Sequence, residues 1–286
     1  MIRLFPAALF SILMTALSQA QPVFTAADTV VSNSVFQLAS DLDLSSLPIS
    51  DLLSEIGKSF IGTPYAAGTL DKNDEEKLTV SLTGLDCYTF LESSLVLARV
   101  VKSGVHSFSG FLAELENIRY RGGRIAGYIS RLHYFSDWIF DMDKRGIGKD
   151  ITRSIGGRPY IKNIDFMSTH TYAYRQLKDN PALVEKIIFI ENEISSRSYF
   201  FVPQQEIQNA EKEINSGDII GITTNVEGLD ISHTGIALRA DDGRIHLLHA
   251  PNVGYKIQIT EKPLAEYIKG NKKQTGIMVL RPSEIN

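Results

Sequence analysis

Residues 85–102 read Leu-Asp-Cys-Tyr-Thr-Phe-Leu-Glu-Ser-Ser-Leu-Val-Leu-Ala-Arg-Val-Val-Lys, and they set the reading of everything around them. From Cys87 onward, Phe90, Leu91, Leu95, Leu97, Ala98 and Val101 recur at helical spacing, and Val96 and Val100 widen the stripe. The spacing predicts a mostly buried helix over Cys87–Lys102, stopped at Gly104. Asp86 is a good N-cap, because its carboxylate can accept from the free amides of the first turn. Cys87 is the only cysteine in the chain. In the first turn of a helix, unpaired N–H groups and the helix dipole favour a thiolate. The same amides can stabilise an oxyanion forming beside the sulfur. The Asp86 charge opposes this by raising the thiol pKa, so a reactive Cys87 needs a histidine. The competing reading is a buried, inert thiol.

Upstream, Lys77–Thr83 alternates and predicts a short strand. Beyond Pro203 the chain turns β-rich, with strands predicted at Asp218–Thr223, Ser232–Leu238, Arg244–Ala250, Lys256–Ile259 and Gly276–Leu280. Short connections imply mostly antiparallel pairing. A cysteine-bearing helix followed by such a sheet gives an α+β fold with helix packed on sheet, the layout of papain-like proteins. Along Arg244–Ala250, alternation puts Ile245, Leu247 and His249 on one face and His246 and Leu248 on the other. A catalytic line can then be written: Cys87 as nucleophile, His233 as base, and His249 holding the second ring nitrogen of His233. Because His246 and His249 point to opposite faces, they do not suit one metal ion; no metal and no cofactor are expected.

Five segments in order resemble the NlpC/P60 group of cell-wall cysteine peptidases. They are Gly62-Thr63-Pro64-Tyr65 with Gly68; Asp86-Cys87; Gly217-Asp218-Ile219-Ile220; Ser232-His233-Thr234-Gly235-Ile236-Ala237; and Leu248-His249-Ala250. More closely, the chain resembles the DUF1460 branch, described as N-acetylmuramoyl-L-alanine amidase-like. Leu85–Glu92 and Tyr128–Trp138 carry that likeness, which spans most of the chain beyond residue 20. The resemblance implies a papain-like core with Cys87, His233 and His249 as its catalytic residues. It also implies that Tyr65 stands near the nucleophile, where its hydroxyl can donate to the oxyanion. The implied reaction is hydrolysis of the bond between the muramic acid lactyl group and L-alanine in muropeptides, through a thioester. The alternative within this chemistry is the γ-D-glutamyl–diamino acid bond of the stem peptide. A third reading, from another class, is a non-catalytic cell-wall binding protein on the same fold. Tyr88 departs from the small or β-branched residue expected after the nucleophile, which bears on the pocket wall.

Between the helix and the sheet, residues 104–215 read as a long, mainly helical insert, with helices at Phe108–Tyr120, Ser130–Lys144 and Ala182–Glu193. Arg119–Arg124 is basic and glycine-rich. The stretch 131–138 mixes Arg, His, aromatics and the only tryptophan, a mixture that suits a sugar–peptide ligand. Arg131, His133, Tyr134 and Trp138 are therefore expected substrate contacts, set against a plain docked helix with Leu132, Phe135 and Ile139 inward.

A formal charge of -4 over 286 residues argues against nucleic-acid binding. Hydrophobic content of 43% and charged content of 22% are those of a globular chain. With one cysteine, an intramolecular disulfide framework and a thiolate-rich zinc site are both excluded. Arg3, the apolar run Leu4–Leu17 and Ser18-Gln19-Ala20 form the pattern of a secretory signal peptide over residues 1–20. The alternative there is an uncleaved N-terminal anchor. Residues 21–286 are expected to form one amidase-like domain, exported across the inner membrane to the periplasm by that pattern, acting on peptidoglycan fragments without stable membrane insertion.

Overall fold

Strands of the C-terminal third form the centre of one antiparallel sheet, and helices cover both of its faces. The structure, a computed structural model, describes residues 21–252 and 255–285. The sequence-predicted signal peptide lies outside these residues. The elements in chain order are helices α1 (Ala26–Asp41), α2 (Ile49–Ser59), α3 (Cys87–Lys102), α4 (Phe108–Arg119) and α5 (Phe135–Lys144); strands β1 (Gly148–Asp150) and β2 (Arg158–Tyr160); helices α6 (Phe166–Thr169) and α7 (Pro181–Ser195); strand β3 (Tyr199–Pro203); helix α8 (Ile207–Ala210); strands β4 (Ile219–Thr224), β5 (Ile231–Arg239), β6 (Ile245–His249) and β7 (Gln258–Ile259); helix α9 (Leu264–Lys269); and strand β8 (Gln274–Pro282).

The sheet order is β2-β3-β8-β4-β5-β6-β7, with β1 also on β8. All of these pairings are antiparallel. One face carries Ile219, Ile236, Leu238, Leu248, Met278 and Leu280 into the larger core with α1–α5. The other carries Ile220, Ile222, Ala237, Leu247, Ile277 and Val279 into a second core closed by α8 and α9. Covering on both faces explains why the central strands read as near-continuous apolar runs. The fold is thus mixed α+β with an antiparallel sheet, as the sequence predicts.

Helix α3 runs through the larger core and is buried along most of its length. Each fully buried leucine on it is worth about 1.5–3 kcal/mol of transfer free energy. Its one deep carboxylate, Glu92, is matched by Arg119 of α4: Nε and Nη2 donate to Oε2 at 2.9 and 2.5 Å.

Two glycines of the quoted motifs have packing reasons. At Gly217 (φ +83°) a Cβ would stand 1.9 Å from the Ser50 carbonyl oxygen, so only glycine lets the chain enter β4 there. The following Asp218 is fully buried, accepts from Asn215 N–H at 2.8 Å and pairs with Arg281 at 2.7 Å. At Gly235 a Cβ would meet the Leu248 carbonyl at 2.7 Å, which reflects close approach of β5 and β6.

Two expectations are corrected. Lys77–Thr83 is not a strand: it has a single bridge, Thr79 with Val23. Its backbone meets Val23, with the Leu78 carbonyl accepting from Val23 N–H and Val80 N–H donating to the Val23 carbonyl at 2.8 Å each. Side chains serve the rest described, with Asp28 accepting from Leu82 N–H at 2.6 Å and Arg119 donating to the Thr79 carbonyl at 2.5 Å. The helix expected from Ser130 begins at Phe135, because Leu132 N–H donates to the Arg119 carbonyl at 3.0 Å and holds that stretch extended. The insert carries α4–α8, and β1, β2 and β3 also lie within it and extend the sheet beyond β8.

Candidate active site

The site is built where α3 begins. Asp86 caps the helix, accepting from Thr89 N–H at 2.8 Å, while Thr89 Oγ1 accepts from Asp86 N–H at 3.0 Å. This reciprocal box fixes the first turn and therefore the position of Cys87. Strand β5 docks against that turn: the Thr234 hydroxyl donates to the Cys87 carbonyl at 2.9 Å. Cys87 is half-buried. Burial pushes its thiol up to about 11, and the Asp86 carboxylate adds to the rise. Hydrogen bonds from Thr234 and from the Tyr88 amide act the other way.

Beside Thr234, His233 is also half-buried, and its Nε2 lies 2.6 Å from His249 Nδ1. The register explains the meeting. Ile222 opposes His233 and Ala237 opposes Leu247, so both imidazoles project to the α9 face of the sheet. Burial lowers His233 to about 4. Burial, reinforced by the neighbouring His233, lowers His249 to about 3. Both rings are neutral near neutral pH.

Two phenols complete the surroundings. Tyr65 is held by main-chain bonds, its N–H donating to the Tyr255 carbonyl at 2.8 Å, and it bridges Leu85. Burial raises its pKa, and the Cys87 and Asp86 charges raise it further. Tyr267 of α9 lies with its ring 5.3 Å from that of His249. Its pKa too is raised by burial and by Cys87. The sequence reading did not single out Tyr267; its run, Leu264–Lys269, reads only as a short amphipathic turn.

Cys87, His233, His249 and Tyr65 are thus brought into one region. The four expected substrate contacts fare differently. Trp138 is 0% exposed and stacks on Phe135 within the core. Tyr134 is buried and donates to Glu191 at 2.6 Å. Arg131 is buried, forks onto Glu76 at 3.0 and 2.7 Å and reaches Asp71 at 2.8 Å. These three side chains are consumed by packing and ion pairing, which corrects the expectation of a ligand surface. His133 is half-buried, with Nε2 2.9 Å from the Tyr128 carbonyl. Tyr88 turns inward with its ring against Phe135, and its hydroxyl is buried without a protein partner among the described residues. His246 faces away from His249 and contacts the Thr260 carbonyl at 2.7 Å. Among the described residues, no group of three or more His, Cys, Asp or Glu converges as a metal site.

A half-buried thiol at a capped helix N-terminus, with two neutral imidazoles in contact with each other on the strand docked there and its neighbour, is an arrangement suited to nucleophilic acyl chemistry. The comparisons with known proteins agree in kind. The family model described as N-acetylmuramoyl-L-alanine amidase-like matches residues 55–277, and the chain belongs to that family. A solved N-acetylmuramoyl-L-alanine amidase from Bacteroides uniformis is 36% identical, with TM-score 0.78, over 82% of this chain and 99% of that one. A Bacteroides fragilis structure named provisionally as a xylanase is 38% identical, with TM-score 0.75, over 79% of this chain and 99% of that one. A Legionella pneumophila protein of the DUF1460 family shares the fold at 21% identity and TM-score 0.67, over 91% of this chain and 97% of that one. No curated protein matches the chain.

Proposed function

We propose that this protein is a cysteine amidase with an NlpC/P60, papain-like core, acting on the N-acetylmuramoyl–L-alanine bond of peptidoglycan-derived muropeptides. The observation that carries the reading is the 2.6 Å contact of His233 Nε2 with His249 Nδ1, on the strand whose Thr234 bonds Cys87. His249 holds one nitrogen of His233 and leaves Nδ1 for the thiol. His233 takes the Cys87 proton as the sulfur attacks the amide carbonyl. The Cys87 N–H, a free amide of the first helical turn, and the Tyr65 hydroxyl hold the oxyanion. The carbon–nitrogen bond then breaks, and His233 returns its proton to the leaving amine. Water, deprotonated by His233, hydrolyses the thioester and restores the thiol. Because the thiol stands at about 11 and His233 at about 4, proton transfer accompanies attack rather than preceding it.

Amide rather than glycoside cleavage fits the groups present. Asp86, the carboxylate whose charge Cys87 feels, is committed to the helix cap. A glycosidase needs a pair of carboxyl groups free to act. The secretory pattern of residues 1–20 supports a location outside the inner membrane. No described helix is long and apolar enough to cross a membrane.

The test is mass spectrometry of products from a defined muropeptide. Release of a peptide with a free L-alanine amino terminus, lost in Cys87→Ala, supports the proposal. A new diamino acid amino terminus moves the cut to the stem peptide. Binding without turnover in the unaltered protein leaves only a cell-wall binding role.

A further inference from the structure

The imidazole line ends at a nitrogen without a partner. His249 is 1% exposed, and its Nδ1 is taken by His233. Its Nε2 is buried and has no hydrogen-bond partner among the described residues. What lies against the ring is Tyr267, with centroids 5.3 Å apart and planes at 76°. Helix α9 holds Tyr267 there through Leu264, Ala265 and Ile268, which are buried in the second core.

The two tautomers of His249 have opposite consequences. If His249 carries its proton on Nε2, Nδ1 is an acceptor and His233 donates to it from Nε2. The remaining nitrogen of His233 is then a bare acceptor, as a base for Cys87 must be. If His249 carries its proton on Nδ1, it donates to His233, whose own proton moves to the nitrogen needed for the thiol. A hydrogen bond between the two rings forms either way, so that contact alone does not choose. The buried Nε2 end does. An N–H is attracted to the negative face of an aromatic ring, whereas a lone pair is repelled by it.

We infer that Tyr267 is a positioning residue: its ring face accepts the His249 Nε2–H and selects the tautomer in which His233 can take the thiol proton. The role belongs to the ring, not the hydroxyl. This rests on the cysteine amidase reading, but one arm of the test does not use turnover.

The variants are Tyr267→Phe and Tyr267→Leu in the full chain. Tyr267→Phe should keep kcat within about threefold, and Tyr267→Leu should lower it by about tenfold or more with KM nearly unchanged. Nitrogen NMR of isotope-labelled histidines, in Cys87→Ala protein to remove turnover, should show His249 protonated on Nε2 with Tyr or Phe at 267. With Leu it should show a mixture. Tyr267→Met carries the same expectation if the leucine variant does not fold. A leucine variant with unchanged tautomer and kcat overturns the inference. So does a phenylalanine variant as impaired as leucine. If no substrate is turned over at all, the amidase reading fails, while the tautomer shift still decides the role of Tyr267.

Discussion

At rest, Cys87 should be a neutral thiol beside a neutral imidazole, and this can be tested by its alkylation rate against pH. The thiol is raised to about 11 and His233 is lowered to about 4. That gap of about seven units disfavours the thiolate–imidazolium pair by roughly 9 kcal/mol before the two charges attract. Contact attraction returns about 4 kcal/mol at an effective dielectric near 20, so the neutral pair still wins. At about pH 8 the thiolate is then on the order of one molecule in a thousand. Iodoacetamide reacts with the thiolate, so the rate should climb about tenfold per pH unit from about pH 6 to about pH 10. Asp86→Asn keeps the N-cap but removes a charge that raises the thiol. It should move the inflection to lower pH. A rate that is flat between about pH 5 and pH 8, with thiolate ultraviolet absorbance already present, would show a preformed ion pair and refute the reasoning.

The remaining predictions concern what holds the site. Thr234→Val removes the hydroxyl bonded to the Cys87 carbonyl; kcat should fall about three- to tenfold, in line with one lost hydrogen bond, with little change in Tm. Unchanged turnover would mean that bond does not place the nucleophile. Arg119→Met leaves fully buried Glu92 without its cation and should cost about 3–5 kcal/mol in urea unfolding, much of it recovered in the double variant with Glu92→Leu. A loss below about 1 kcal/mol would show that Glu92 is relieved some other way. His233 and His249 stay neutral in the fold down to about 4 and about 3, while unfolded histidine protonates near 6.5. Their contribution to stability is complete above the unfolded value and is lost as pH falls from about 6.5 through those values. His249→Gln should lower the acid slope of unfolding free energy by up to about 1.4 kcal/mol per pH unit; an unaltered slope would show that His249 is not held neutral.

How far the sequence reaches depends on the range of the signal. The helix Cys87–Lys102 is observed with the bounds that its apolar stripe and Asp86 predict. Strands β4, β5, β6 and β8 fall within a residue or two of the alternating runs. By the same local rule, Lys77–Thr83 should have been a strand. Its apolar residues Leu78, Val80 and Leu82 do go inward, but among the described residues its backbone forms a single bridge, with Val23, and no ladder. Residues 131–138 mislead for a related reason. A mixture of Arg and aromatics reads as a ligand surface until Glu76, Asp71 and Glu191 arrive from elsewhere. Arg121 and Arg197 both close on Asp137, at 2.6 and 2.5 Å, and the charges become internal fasteners.

By itself the sequence determined the helix with a cysteine in its first turn, the antiparallel strands, and the face of β6 on which His249 lies. Those features follow from periodicity and capping, which act over a few residues. Tertiary structure alone decided that His249 lies 2.6 Å from His233, that the Tyr267 ring lies 5.3 Å from that of His249, and that Arg131, Tyr134 and Trp138 are enclosed. These depend on where closure of the whole chain puts side chains distant in sequence. No local spacing encodes that, because each such contact is settled by all the packing around it.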